Sequence, residues 1–291
     1  MRFGGHETFY LRPGWLTKGL TLAASDDDRG FADPEVADEL GVGRNMAKSI
    51  SFWLQATGLA SRPDRESALE LTALGELLLK HDRYLQHSLS WWAIHVNLSR
   101  RPDTIWSWFW NGFRPERFDR LHCQESLTRT IDRSGGKLPS AKALQREVAV
   151  LLQTYRRALP AETTDPEDNL DCPLRQLDLL TLHVDLDRYE RRSAWGRLPP
   201  EALAFCLAVG HETADDVIEI GFAEALNGTG GPGRLFNLDA DGLSDALGAA
   251  ERAFGARRFR TRLLGGERVV QLESGPPIAW LERHFGHVQA A

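Results

Sequence analysis

Cysteine is scarce: Cys123, Cys172 and Cys206 are scattered through 291 residues and form no C-x-x-C pair. That excludes a disulfide framework and a cysteine zinc site, and leaves buried free thiols in a reducing compartment as the expectation. Long apolar runs are missing too. Nothing approaches the length that spans a bilayer, and no basic-then-apolar leader opens the chain, so a cytoplasmic protein without membrane attachment is expected. There is no H-E-x-x-H and no G-x-S-x-G. The glycine-rich "NGTGGPGR" (Asn227 to Arg234) lacks the G-K-[ST] ending of a phosphate loop, reads as a turn, and leaves any ATP-driven step to another chain. Nor is positive charge in excess: 35 Lys and Arg face 41 Asp and Glu, a net −6. This argues against a protein that coats nucleic acid indiscriminately, but it leaves room for a local basic patch, because phosphate contacts are short-ranged at physiological salt.

What is present is a globular composition, 42% hydrophobic and 26% charged, with nine tryptophans. Its pattern predicts a mainly α fold with small β-hairpins, in three parts: an N-terminal arm and winged helix-turn-helix over 1–82, an aromatic-rich helical bundle over 83–160, and a small α+β domain, winged-helix-like, over 161–291. Asp33 caps a helix that starts at Pro34 and turns its Val36, Ala37 and Leu40 inward. Gly41, Val42 and Gly43 make a turn, and a second helix runs from about Arg44 to Gln55. "GLASR" and "SALELT" flank the polar tip "PDRE" as the two strands of a wing, and Thr72 caps the next helix. Seven aromatics between Trp91 and Phe113 belong to a core, with His95 a hydrogen-bonded core histidine. Ser140 caps an amphipathic helix, "PAETTDPEDNLDCPL" reads as a linker, and a helix is expected after Asp215. A final hairpin in "RFRTRLLGGERVVQLE" turns at Gly265 and Gly266.

Chemistry concentrates in two places. If the second helix reads DNA, Arg44 and Asn45 stand near its N-terminus and Lys48 one turn on, where arginine suits guanine and asparagine suits adenine, with Arg62 on the wing contacting phosphate. These residues would equally suit a solvated face or a protein-binding module. The opening "FGGHETFYLRPGWLTKGL" places adjacent His6 and Glu7 on what reads as an extended arm, followed by Arg12 and Lys18. In a catalytic version His6 is a general base for water, Glu7 holds a divalent ion, and Arg12 and Lys18 bind phosphates. In a structural version Glu7 pairs with Arg12 or Arg2, and His6 caps a helix or bonds a backbone carbonyl.

The opening motif "GHETF-x-LR-x-GWL-x-K", together with "ADELGVGRNMAKSISFWLQATGL", "WSWFWNGF", "LDCPLRQLDLL" and "GRLFNLDADGL", resembles a bacterial family long labelled a domain of unknown function. This is the family of the SspB DNA-nicking component of DNA phosphorothioation systems. The resemblance implies a DNA-binding, metal-dependent nicking endonuclease, a hydrolase acting on double-stranded DNA in phosphorothioate modification and anti-phage defence. Mg²⁺ or Mn²⁺ would be its ion. Its partners would be sulfur-transfer enzymes and an ATPase, with a homodimer left open. Two other readings remain: a non-catalytic winged-helix adaptor that recruits the sulfur-transfer enzymes, and a transcriptional regulator of the gene island.

Overall fold

The computed structural model describes residues 1, 3–25, 29–31, 33–64, 68–102, 104–159, 172–211, 213 and 215–288. The fold is mainly helical with small sheets. It divides into two compact units, Met1–Gln86 with Asn97–Arg192, and His87–Val96 with Ser193–Ala291. These group the segments differently from a three-part reading in series. Arg2, the "DDD" of the first loop, residues 65–67 at the wing tip and the stretch 160–171 lie outside the described residues.

The first unit opens with α1 (Trp15–Ala23), α2 (Pro34–Glu39) and α3 (Arg44–Ala56), then β1 (Ala60–Ser61), β2 (Glu70–Leu71) and α4 (Ala73–His81). Local chemistry sets the ends. Asp33 accepts a hydrogen bond from the Glu35 N–H ahead of Pro34, and Thr72 accepts one from Gly75. Gly41, at φ 63, makes the turn between α2 and α3. Ile50, Trp53 and Leu54 of α3 are fully buried. β1 and β2 pair antiparallel, Ala60 opposite Leu71.

α5 (Ser88–Arg100) is shared between the units at Val96 and Asn97. There follow α6 (Ile105–Asn111), β3 (Arg117–Phe118), α7 (Arg120–Arg133), α8 (Ala141–Tyr155) and β4 (Arg156–Leu159). Thr104, Asp119 and Ser140 cap α6, α7 and α8. The first unit is completed by β5 (Leu180–His183) and β6 (Arg188–Arg191), in a sheet ordered β3-β6-β5-β4. β4 and β5 run parallel, Arg156 opposite Leu180, and the other pairs are antiparallel. The extended run "LTLHVDLDRYERRS", read as part of the C-terminal domain, is therefore built into the first unit. Its core is aromatic: Trp53 and Trp106 are 5.0 Å apart between ring centres, Trp110 and Tyr155 4.9 Å. Within it the Arg191 guanidinium lies 4.2 Å from the Phe109 ring and donates to the carbonyls of Phe109 and Phe113. Burial pulls its pKa down to about 9, which leaves it charged at neutral pH.

The second unit holds α9 (Pro200–Ala208), β7 (Val217–Gly221), α10 (Phe222–Asn227), α11 (Pro232–Leu235), α12 (Ala240–Phe254), β8 (Phe259–Leu264), β9 (Glu267–Glu273) and α13 (Ala279–Val288). Its sheet runs β7-β9-β8, all antiparallel. The helix expected directly after Asp215 begins only at Phe222. "VIEIG" alternates, with Ile218 and Ile220 buried, and pairs with β9 instead. Gly265 and Gly266, at φ 60 and 87, make the hairpin turn. His95 is fully buried, its Nε2 2.8 Å from the Leu235 carbonyl oxygen, and burial drives its pKa down to about 4. Among the described residues no helix is long and apolar enough to cross a membrane.

Candidate functional site

The arm is not extended. Residues 4–8 form a tight turn in which the Glu7 N–H donates to the Gly4 carbonyl (3.1 Å) and the Phe9 N–H to the His6 carbonyl (2.8 Å). Glu7 and Thr8 both adopt left-handed backbone, φ 48 and 69. Positive φ is costly for any side chain and most of all for a β-branched one, so the surrounding contacts must over-determine the turn.

Those contacts are visible. The Thr8 N–H donates to His6 Nδ1 (3.1 Å), which fixes the tautomer and leaves Nε2–H to donate to Glu147 Oε2 at 2.9 Å. The other oxygen of Glu147 accepts from the Gly4 N–H at 2.6 Å. Ser49 of α3 donates to the His6 carbonyl, and the Trp53 indole to that of Phe9. The His6 ring meets Phe52 and Trp106 edge-on, at 5.8 and 6.0 Å. A Cβ at Gly5 would fall 2.6 Å from the Phe52 ring, so glycine lets the arm lie flat on α3.

His6 is 2% exposed and Glu147 4%. A general base for water needs a nitrogen open to substrate, whereas both nitrogens of His6 are committed under two aromatic rings. The partner is a carboxylate 141 positions away rather than a helix cap or a backbone carbonyl. Glu7 is half-buried, and among the described residues no ion pair joins it to Arg12. Arg12 instead places its guanidinium 5.4 Å from the Phe9 ring and 5.6 Å from that of Trp15.

Lys18 Nζ donates to the Leu40 carbonyl at 2.6 Å, capping the C-terminal end of α2 beside the Gly41 turn. That turn leads directly into α3, where Arg44, Asn45 and Lys48 are exposed. The N-cap of α3 is Gly43, which offers no side chain to the free N–H groups behind it, and the first turn carries no acid. Asn45 precedes Ser49 by one helical turn on the same face. The arm therefore packs on the middle of α3, through Ser49, Phe52 and Trp53, and Lys18 lies beside the turn that precedes that helix. Arg12 stays with its aromatics, and Arg62 is exposed just past β1.

Glu147 has no counterpart among the sequence-based candidates. Its signal is a carboxylate on the buried stripe of α8, between Leu144 and Val148, where a helix of this pattern wants an apolar side chain.

A bound Mg²⁺ or Mn²⁺ keeps several waters and takes as few as one or two protein carboxylates, of which half-buried Glu7 could supply one. Among the described residues no three His, Cys, Asp or Glu side chains are grouped to hold a metal ion, and His6 cannot join Glu7 as a ligand while both its nitrogens are engaged.

Two solved structures share this fold. A magnesium ion-bound SspB matches with a TM-score of 0.84 at 24% identity, over 99% of this chain and 89% of that one. Another SspB crystal structure matches with a TM-score of 0.83 at 26% identity over the same shares. No curated protein matches the chain. The model of a family described as "Protein of unknown function (DUF4007)" spans residues 3–282, and the chain belongs to that family.

Proposed function

We propose that residues 15–81 are a winged helix-turn-helix that binds duplex DNA through α3, and that the protein is the DNA-nicking component of a phosphorothioate-modification system used in phage defence. The observation that carries the DNA reading is the two-sidedness of α3. Ile50, Trp53 and Leu54 seal one side, while Arg44, Asn45 and Lys48 stand exposed at its uncapped, acid-free N-terminal end. Free N–H groups and cations at a helix start suit a phosphate, and arginine and asparagine there suit base edges. Arg12, Lys18 and Arg62 would add phosphate contacts. The link to phosphorothioation rests on the likeness in fold to SspB. Under the family resemblance, sulfur-transfer enzymes and an ATPase are the proposed partners and a homodimer one proposed arrangement.

Within the nicking reading, Glu7 is the reacting carboxylate and His6 a positioning residue. Hydrolysis adds water across one P–O bond: the water oxygen bonds to phosphorus, Glu7 takes its proton, and the departing oxygen is protonated from solvent. Both committed nitrogens of His6 favour a second reading, a non-catalytic adaptor that brings sulfur-transfer enzymes to DNA.

Two measurements separate these. In fluorescence anisotropy, the Arg44→Ala, Lys48→Ala double variant should weaken duplex binding about tenfold or more and flatten the salt dependence by roughly two phosphate contacts. Unaltered binding would remove α3 from the interface. On supercoiled plasmid, with and without Mg²⁺ or Mn²⁺, Glu7→Gln should abolish open-circular product. Product at the wild-type rate would remove Glu7, and intact binding with no product from wild type would select the adaptor.

A further inference from the structure

The second unit has the element order helix, strand, helices, helix, hairpin, and its first strand pairs with the last, giving the sheet β7-β9-β8. Here α12 occupies the place that α3 holds in the first unit, and the β8–β9 hairpin is the wing. The two helices differ in charge. α12 carries Asp241 and Asp245 exposed in its first half, so it presents acid where α3 presents base. A duplex would be repelled by the first half of α12, and the wing carries the unit's densest run of cations.

The wing has the chemistry for it. Between 257 and 268 five arginines, Arg257, Arg258, Arg260, Arg262 and Arg268, face a single acid, Glu267, in a chain of net −6. Arg260 and Arg262 alternate along the outer strand on the solvent side, where Arg260 donates to Gln271 (2.7 Å) and Arg262 approaches Glu219 (3.3 Å). At the tip the alternation of buried and exposed positions ends. Phe259 is fully buried, whereas Leu263 is 76% exposed and Leu264 47%. Successive strand residues point to opposite faces, so two exposed leucines in a row mean that neither face of the tip is covered. Two glycines close a ladder paired from Phe259–Leu272 to Leu264–Glu267. A paired ribbon with an apolar point and arginines behind it matches proteins that enter the minor groove. There arginines follow the narrow, strongly negative groove, and apolar side chains wedge between base pairs.

We propose that the β8–β9 wing is a second DNA-binding element, inserting Leu263 and Leu264 into the minor groove of duplex DNA while Arg257 and Arg262 contact phosphates. The proposal does not depend on α3, because the two elements lie in different units and can be altered separately.

The test uses the full chain and a duplex of about 30 base pairs carrying 2-aminopurine, whose fluorescence rises on unstacking. Leu263→Ser with Leu264→Ser should remove the fluorescence rise and weaken binding about tenfold, with the salt slope unchanged. Arg257→Gln with Arg262→Gln should lower the slope of log K against log salt by roughly 1–2, at about 0.9 per phosphate contact. All four residues are exposed, so folding is not at issue. Wild-type affinity, slope and fluorescence in both variants would overturn the proposal. If the wing variants bind normally while Arg44→Ala with Lys48→Ala does not, the wing fails and α3 stands. The reverse outcome leaves the wing standing and α3 without its role. A wing that instead captures a protein segment would lose partner binding in the leucine variant while its DNA binding stayed intact, which also overturns the proposal.

Discussion

The His6–Glu147 pair should be the main anchor of the arm, and its removal can be costed. In Glu147→Ala two donors, the exposed Gly4 N–H and the buried His6 Nε2–H, lose the carboxylate that accepts from them at 2.6 and 2.9 Å. An unsatisfied buried donor costs about 1–3 kcal/mol, and water can reach the Gly4 N–H, so the variant should lose roughly 1–3 kcal/mol. His6→Ala leaves the carboxylate with the Gly4 N–H alone, and losing a hydrogen bond to a charged group costs about 1.5–3 kcal/mol. Glu147→Gln keeps an acceptor for Gly4 but turns an N–H toward Nε2. The ring cannot answer by switching tautomer, because Nδ1 already accepts from Thr8, so this near-isosteric change should also be felt, at about 1–3 kcal/mol. For a unit of this size each kcal/mol moves the melting temperature by roughly 2–4 °C, so the alanine variants should melt some 2–12 °C lower. The double variant should be no worse than the more damaging single one, since the two side chains act through one contact. Differential scanning fluorimetry of the four proteins measures all of this. Single variants melting within a degree of wild type, or strictly additive losses in the double, would refute the anchor.

Three other outcomes follow from the packing. His95 is held near pKa 4 by burial, while an unfolded chain binds that proton at about 6.5. Its contribution is therefore whole above about pH 6.5 and falls as the pH drops toward 4, by roughly 3 kcal/mol in all, and urea unfolding midpoints at pH 7, 5.5 and 4.5 should show the fall. Flat midpoints would exclude it. A Cβ at Gly75 would overlap the Leu59 carbonyl oxygen, part of the backbone that joins α3 to β1, so Gly75→Ala should yield little folded protein, whereas Gly14→Ala, with nothing within 4 Å, should lose only the cost of its positive φ; equal yields from both would contradict this. All three cysteines are buried, and Cys123, pushed up to about 12 by burial, is a poor nucleophile, so Ellman's reagent should find no fast-reacting thiol before denaturation and three afterwards.

What the sequence reveals follows the range of the interactions. Asp33, Thr72 and Ser140 act within two or three residues of themselves, and their helix starts are legible for that reason. The Gly265–Gly266 hairpin is legible on the same ground, and the tryptophan-rich stripe follows from bulk hydrophobicity. The parallel pairing of β4 with β5 is not legible, because it joins Arg156 to Leu180 across an intervening segment. β7 is missed because five alternating residues run directly into a helix, and the helical period outweighs so short a strand. The exposure of Arg44, Asn45 and Lys48 can be read from helical spacing. The burial of His6 cannot, since its partner lies on a helix far along the chain.

That distant partner also explains why the arm holds so unfavourable a shape. Two side-chain-bearing residues in left-handed backbone cost of order 1–3 kcal/mol each, and a segment left to itself would relax. Four hydrogen bonds from α3 and α8 act against that relaxation: Glu147 to Gly4 and His6, Ser49 to His6, and Trp53 to Phe9. None of them involves the side chain of Glu7. If the turn served only to tie down the arm, an extended strand with glycine at position 7 would do so without strain. A turn that buries the imidazole and leaves the neighbouring carboxylate half-open makes better sense if the position of that carboxylate is what matters. Glu7→Gly should then stabilise the fold while removing whatever the carboxylate does, and a variant both less stable and fully active would show the strain to have no such purpose.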